Sequence, residues 1–267
     1  MKVLVTGLRG TVGRALGGVL RADGHEVTGW DRTRVAIDDY HAMDRFVGEV
    51  APDALVHLAI ASRPTGRADE GWLVGYHWPS ELAWICRQRA VRFVHASTVM
   101  VFSPGARGPF TPATPPDEVA GYGGDKRRLE ERVLHQNPGA VVARLGWQIG
   151  DAPGSNNMID YLERTQCEHG QVAASTRWLP ACSFLDDTAS VLVRLLGARP
   201  GVYMIDGNAG WSMYEIATAL AQAHAHERWT IVPVDEPRQD QRMLDPNLAV
   251  RTLNTRLPTL PAPHGGA

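Results

Sequence analysis

The chain has 267 residues, 44% of them hydrophobic and 21% charged, with a formal net charge of −2. That is enough for one large core, or one core with a small appended lobe, and the near-neutral balance without a basic cluster excludes the electrostatic footprint of a nucleic-acid binder. No stretch approaches the roughly 18 apolar residues of a membrane span, and three cysteines (Cys86, Cys167, Cys182) without metal-ligand spacing point to a reducing, cytoplasmic setting and no metal site.

Runs rich in β-branched residues predict strands at 2–6, 26–30, 35–37, 54–60, 92–96 and 140–145. Helical-period segments between them predict helices at 11–22, 40–50, 72–89 and 123–136, the third of them disturbed by Pro79. Short, continuously apolar strands separated by helices make a parallel sheet covered on both faces. The expected fold is therefore α/β, a doubly wound sheet of the Rossmann kind over residues 1–150. After Gly146 the rhythm changes. A loop rich in Gly, Pro and Asn leads to a helix at 158–166, a strand at 172–175, a helix at 186–196, a strand at 202–205, a helix at 213–223 and a strand at 230–234. Residues 151–267 are expected to form a small C-terminal substrate-binding lobe, with some segments completing the sheet. The tail from Arg256 holds too much Pro and Gly to be regular. With no apolar segment ahead of the first strand, no signal peptide is expected.

The first strand runs into TGLRGTVG, which opens the first helix. Three glycines in so short a stretch cost stability unless the backbone needs them. Gly7 would make the turn, Gly10 would admit a pyrophosphate, and Gly13 would let the helix pack on the sheet. Arg9, Thr11 and Val12 share this loop and belong to the same predicted cofactor site. Asp31, closing the second strand, is placed to bind adenosine ribose hydroxyls, which favours NAD because a carboxylate repels a 2′-phosphate. Arg32 beside it could pair with that phosphate, so NADP stays open.

Of 27 basic residues 25 are arginine, and one of the two lysines, Lys126, lies one helical turn after Tyr122 in YGGDK. An ammonium near a phenol is expected to lower its pKa and make Tyr122 a general acid, while the lysine also holds the nicotinamide ribose. Two glycines between them are poor helix material, and a broken local rule beside ionisable residues marks a site. A third hydroxyl is expected at the carboxyl end of the strand VRFVHA, from Ser97 or Thr98, with Thr98 preferred as the group on the substrate oxygen.

TGxxGxxG and YxxxK together resemble the extended short-chain dehydrogenase/reductase superfamily, the NAD-dependent epimerase/dehydratase group of folds. Within it the chain is similar to the dTDP-4-dehydrorhamnose reductases. RFVHASTVMVF matches their segment ending in STDYVF and so places the catalytic threonine on Thr98. PDALVHLAIAS matches their fourth strand and its loop, which implies that Leu58, Ala59 and Ile60 line the cofactor. Arg144 falls on the arginine of their sixth strand, and PRQDQRMLD is similar to a segment near the sugar-nucleotide site. Their substrates carry a diphosphate, for which Arg177 and Arg238 are the candidate clamps. Val99 and Met100 stand where the group has Asp-Tyr, removing polar groups near the substrate. The resemblance implies NAD(P)H-dependent reduction of a keto group on a nucleotide-linked 4-keto-6-deoxy sugar or related natural product. The alternatives are an epimerase of the same superfamily and a non-catalytic NAD(P)-binding protein. The expected partner is a small molecule, acted on by a monomer or a homodimer.

Overall fold

The computed structural model describes residues 1–61, 66–224 and 229–262. In chain order its first half carries β1 (Lys2–Thr6), α1 (Thr11–Ala22), β2 (Glu26–Gly29), α2 (Tyr40–Val50), β3 (Ala54–His57), α3 (Glu70–Trp72), a π-helical turn (Leu73–His77), α4 (Trp78–Gln88), β4 (Arg92–Thr98), α5 (Gly121–Gln136) and β5 (Val141–Leu145). Then come β6 (Trp147–Ile149), α6 (Met158–His169), β7 (Val172–Ser175), β8 (Trp178–Leu179), β9 (Cys182–Phe184), α7 (Leu185–Leu195), β10 (Gly201–Ile205), α8 (Met213–Ala223), β11 (Ile231–Val234) and β12 (Gln239–Asp240). A six-stranded parallel sheet in the order β10-β5-β4-β3-β1-β2 forms the centre of this α/β fold. The expected tail from Arg256 begins as short turns, and residues 263–267 lie outside the described residues.

Two expectations are corrected. Residues 35–37 form no strand, because the backbone N–H groups of Arg34 and Val35 turn back onto the Asp31 carbonyl and the Trp30 indole donates to the Val35 carbonyl. With those groups used locally, no ladder can form. The expected helix 72–89 is interrupted by the π turn, in which the Trp78 N–H donates to the Leu73 carbonyl. Pro79 then sits in the first turn of α4, where its missing N–H costs nothing. The widened turn stacks Trp72 on His77, with ring centroids 5.1 Å apart.

The chain divides into two compact units. The first comprises Met1–Ser103, Pro116–Arg144 and Ala189–Tyr203. Its core packs Leu4, Leu55, Phe93 and Val142 from the sheet with Trp78, Leu82, Leu129 and Val133 from α4 and α5. The second comprises Pro104–Pro115, Leu145–Thr188 and Met204–Ala267. It holds three two-stranded ladders, β6 with β9, β7 with β11, and β8 with β12, each parallel. Its core is built from Ile149, Leu162, Phe184, Trp211, Ile216 and Leu253. Asp206 knits this unit by accepting from the N–H groups of Cys182, Asn208 and Met243 at 3.0, 2.8 and 2.8 Å. No helix among the described residues is long and apolar enough to cross a membrane.

Candidate active site

The glycine turn has the geometry that an anion cradle requires. Gly7 adopts φ +71°, and a Cβ there would lie 2.9 Å from the Ala59 nitrogen. A Cβ on Gly13 would come within 2.1 Å of the Gly7 carbonyl oxygen, so α1 can seat on the turn only with glycine at that position. Gly10 is the N-cap of α1 and supplies no side-chain cap, which leaves the positive end of the helix dipole to an outside acceptor. The loop after β3 hangs on the same turn. Leu58 N and Ala59 N donate to the Thr6 hydroxyl at 3.1 and 3.3 Å, and Ile60 beyond them is exposed. Gly7, Gly10 and Gly13 could therefore hold a nucleotide diphosphate, with Leu58, Ala59 and Ile60 beside the same turn.

At the end of β2 the chain turns on Asp31. Its Oδ1 accepts from the Thr33 N–H (2.9 Å) and hydroxyl (2.7 Å), and these bonds hold its carboxyl below the usual range, aided by Arg9 and Arg34. Arg32 Nη1 lies 3.4 Å from Glu70 Oε1 and so pairs with a carboxylate of this chain.

Thr98 closes β4, and its Oγ1 accepts from the Met100 N–H at 3.2 Å, capping a short turn over Val99–Val101. Ser97 is buried, and its Oγ has no partner among the described residues. The glycines of YGGDK are explained by close approach. A Cβ on Gly123 would fall 1.9 Å from the Met100 carbonyl oxygen, and one on Gly124 would fall 2.6 Å from the Val119 carbonyl carbon. The start of α5 is thus pressed against the turn that Thr98 caps. Tyr122 is 46% exposed there, whereas Lys126, one turn on, is buried.

The lysine does not act on the phenol as expected. Lys126 Nζ donates to the Ala96 carbonyl at 3.1 Å and lies over the Tyr122 ring, 5.9 Å from its centroid. Desolvation raises the tyrosine pKa, so Tyr122 is protonated at neutral pH. Burial pushes Lys126 down to about 8, against the opposing charge of Glu130. The ammonium is present below that value and lost above it. Any reaction that needs it should decline as pH rises through about 8, and a kcat/KM profile level to about pH 10, the ordinary lysine range, would contradict this.

Three features escaped the sequence reading. Glu130 and Arg144 form a buried ion pair with contacts of 3.0, 3.2 and 2.7 Å, the guanidinium lying 5.1 Å from the Phe102 ring centroid. The spacing of Glu130 one turn beyond Lys126 was a usable signal. His57 and His95 sit side by side in β3 and β4, stacked at 5.6 Å and fully buried, with His57 Nδ1 3.0 Å from the Thr6 hydroxyl. Burial pushes His57 down to about 3 and His95 well below its ordinary value, so both rings are neutral. In the second unit Trp147 stacks on Trp178 at 6.2 Å and meets Tyr161 edge-on at 5.1 Å, while the Trp178 indole donates to Gln241 Oε1 at 2.8 Å.

In the second unit Arg177 and Arg238 lead into the ladder of β8 and β12, where Gln239 pairs with Trp178 and the Gln239 N–H donates to the Arg177 carbonyl at 3.3 Å. Arg238 contacts Glu236 at 3.1 Å and Asp235 at 3.7 Å.

A parallel sheet with a glycine cradle after its first strand and a Tyr-x-x-x-Lys pair beside the end of β4 defines a protein of the extended short-chain dehydrogenase/reductase type. The chain belongs to the family described as the RmlD substrate binding domain, whose model matches residues 1–260. It is 32% identical over 242 residues to a dTDP-4-keto-6-deoxy-D-glucose reductase of Streptomyces niveus, covering 88% of this chain and 83% of that one. It is 28% identical to the dTDP-4-dehydrorhamnose reductase of Mycolicibacterium smegmatis, over 84% of this chain and 68% of that one. Among solved structures, the dTDP-4-dehydrorhamnose reductase of Bacillus anthracis in complex with NADP superposes with a TM-score of 0.81 over 97% of this chain and 98% of that one, at 17% identity. That last likeness bears on the fold.

Proposed function

We propose that this protein is an NAD(P)H-dependent oxidoreductase that reduces a keto group on a nucleotide-linked 4-keto-6-deoxy sugar or a related intermediate. The observation that carries the reading is the juxtaposition of Thr98, Tyr122 and Lys126 at the carboxyl end of a sheet whose first turn is built of glycines at the N-terminus of α1. The names of the Streptomyces and Mycolicibacterium relatives support the substrate class.

A bound nicotinamide supplies hydride to the ketone carbon. The residues of this chain do the rest. Tyr122, kept protonated by its partly desolvated site, donates its hydroxyl proton to the developing alkoxide. Thr98, whose oxygen already accepts from Met100, has its own hydrogen left to hold the carbonyl oxygen. Lys126, anchored on the Ala96 carbonyl, binds ribose hydroxyls with its remaining N–H groups. Gly7, Gly10, Gly13, Arg9, Thr11 and Val12 bind the diphosphate, with Leu58, Ala59 and Ile60 along the same wall. Val99 and Met100 supply no acid beside Thr98, which argues against a dehydratase.

The ionised Asp31, with Arg32 engaged by Glu70, favours NAD(H) at least as strongly as NADP(H). Titration with both cofactors checks this, and Asp31→Ala should tighten NADP(H). A clear preference of the unaltered protein for NADP(H) would mean that Arg9, Arg32 and Arg34 dominate. Arg177 and Arg238 would clamp the substrate diphosphate, so the double alanine variant should raise KM roughly 10-fold or more without weakening cofactor binding. An unchanged KM would assign the diphosphate to other groups. The reading as a whole is tested by mixing the purified protein with dTDP-4-keto-6-deoxyglucose and NADH or NADPH. Net oxidation of the nicotinamide is expected, whereas a sugar product with the cofactor unchanged would make it an epimerase.

A further inference from the structure

Lys126 is only 5% exposed, and the one acceptor on its Nζ among the described residues is a neutral group, the Ala96 carbonyl at 3.1 Å. The Tyr122 ring lies on one side of it, with the centroid 5.9 Å from Nζ. From the sheet it faces His57 and His95, which are paired in β3 and β4 and buried as neutral rings. An ammonium in this setting loses its water and gains no opposing charge from these groups.

The opposing charge comes from within α5. Glu130 follows Lys126 by one helical turn, which puts the two side chains on one face of the helix. The Glu130 side chain is 4% exposed, and no charge on α4 or the π turn acts on the lysine among the described residues. The carboxylate is not free to swing onto the ammonium. Arg144 Nε and Nη2 hold both of its oxygens at 2.7 to 3.2 Å, and the guanidinium is itself seated against the Phe102 ring. Glu130 therefore acts on Lys126 from one turn away and leaves Nζ on the Ala96 carbonyl.

An ammonium carries three N–H groups and an amine two, so the ammonium keeps two beyond the bond to Ala96 and the amine keeps one. We infer that Glu130, clamped by Arg144, is a positioning residue that acts through Lys126: its fixed carboxylate keeps the buried side chain an ammonium, two of whose N–H groups stay available to a ligand. That the ligand is the cofactor ribose rests on the reductase reading, whereas the charge on Lys126 does not.

The chain has only two lysines, Lys2 and Lys126, so lysine labelled with carbon-13 at Cε gives two NMR signals, which Lys2→Arg assigns. In the ligand-free protein the Lys126 signal should titrate with a midpoint of about 8. Glu130→Leu with Arg144→Met removes the charge and its clamp together, and the midpoint should fall by roughly one pH unit. Glu130→Gln keeps the shape of the side chain and should lower it as well, which supplies a second protein should the double variant fold poorly. Arg144→Met alone keeps the carboxylate and should not lower it. NADH affinity, measured on the same proteins, should match that of the unaltered chain near pH 6 and be several-fold weaker near pH 8 in the variants lacking the carboxylate. A Lys126 midpoint that stays in place or rises in the folded Glu130 variants, or that falls in Arg144→Met, would overturn the inference. A midpoint that falls while NADH affinity is unmoved would uphold the action of Glu130 on Lys126 and overturn the placing of the ribose on that lysine.

Discussion

Exchanging Tyr122 for phenylalanine should lower kcat roughly 10²–10⁴-fold while NADH affinity and melting temperature stay nearly unchanged. The substitution keeps the ring, on whose face Lys126 sits 5.9 Å from the centroid, and removes only the hydroxyl. Tyr122 is 46% exposed, so little packing depends on that oxygen. The three quantities must be measured on one preparation. A folded, cofactor-binding variant with near-normal turnover would remove Tyr122 from the chemistry. It would also favour a role in nucleotide binding alone.

The second large effect is on stability. Glu130 and Arg144 have side chains only 4% exposed, and their pairing is bidentate. Glu130→Ala would leave a guanidinium buried without its counter-charge, at a cost of about 3–5 kcal/mol. Arg144 tolerates this poorly because its Nη1 already lacks a partner among the described residues. Replacing the pair together, as Glu130→Leu with Arg144→Met, should recover most of the loss, since well-packed apolar residues often equal a buried ion pair. Chemical denaturation of the three proteins checks this. A Glu130→Ala variant within about 1 kcal/mol of the unaltered protein would show that water reaches the site.

Much of this arrangement was legible in the sequence, for reasons that are local. The glycine spacing of residues 7–13 reports backbone clearance, and the structure shows it as contacts of 2.1 and 2.9 Å that a Cβ would make. The helices Thr11–Ala22, Tyr40–Val50 and Met213–Ala223 coincide with their apolar periodicity. What periodicity could not report is contact between distant segments. Phe110 exchanges backbone bonds with Arg242 and Leu244, both at 2.7 Å, and so packs 104–115 with the later part of the chain. The direction of the Tyr122 shift was missed because YxxxK spacing says nothing of where the ammonium points, and the Ala96 carbonyl holds it. The buried histidines were missed because LVHL and RFVHAS read as apolar strands, which is how the fold uses them.

The central claim is hydride transfer to a substrate carbonyl with the proton from this chain. Its most direct test uses NADH or NADPH deuterated on the transferring face of nicotinamide C4, with dTDP-4-keto-6-deoxyglucose as substrate. The account predicts one deuterium per product, fixed on the former carbonyl carbon, formed in step with cofactor oxidation and sharply reduced in Tyr122→Phe. A reduced product without deuterium at that carbon, or no oxidation of a cofactor that demonstrably binds, would contradict it.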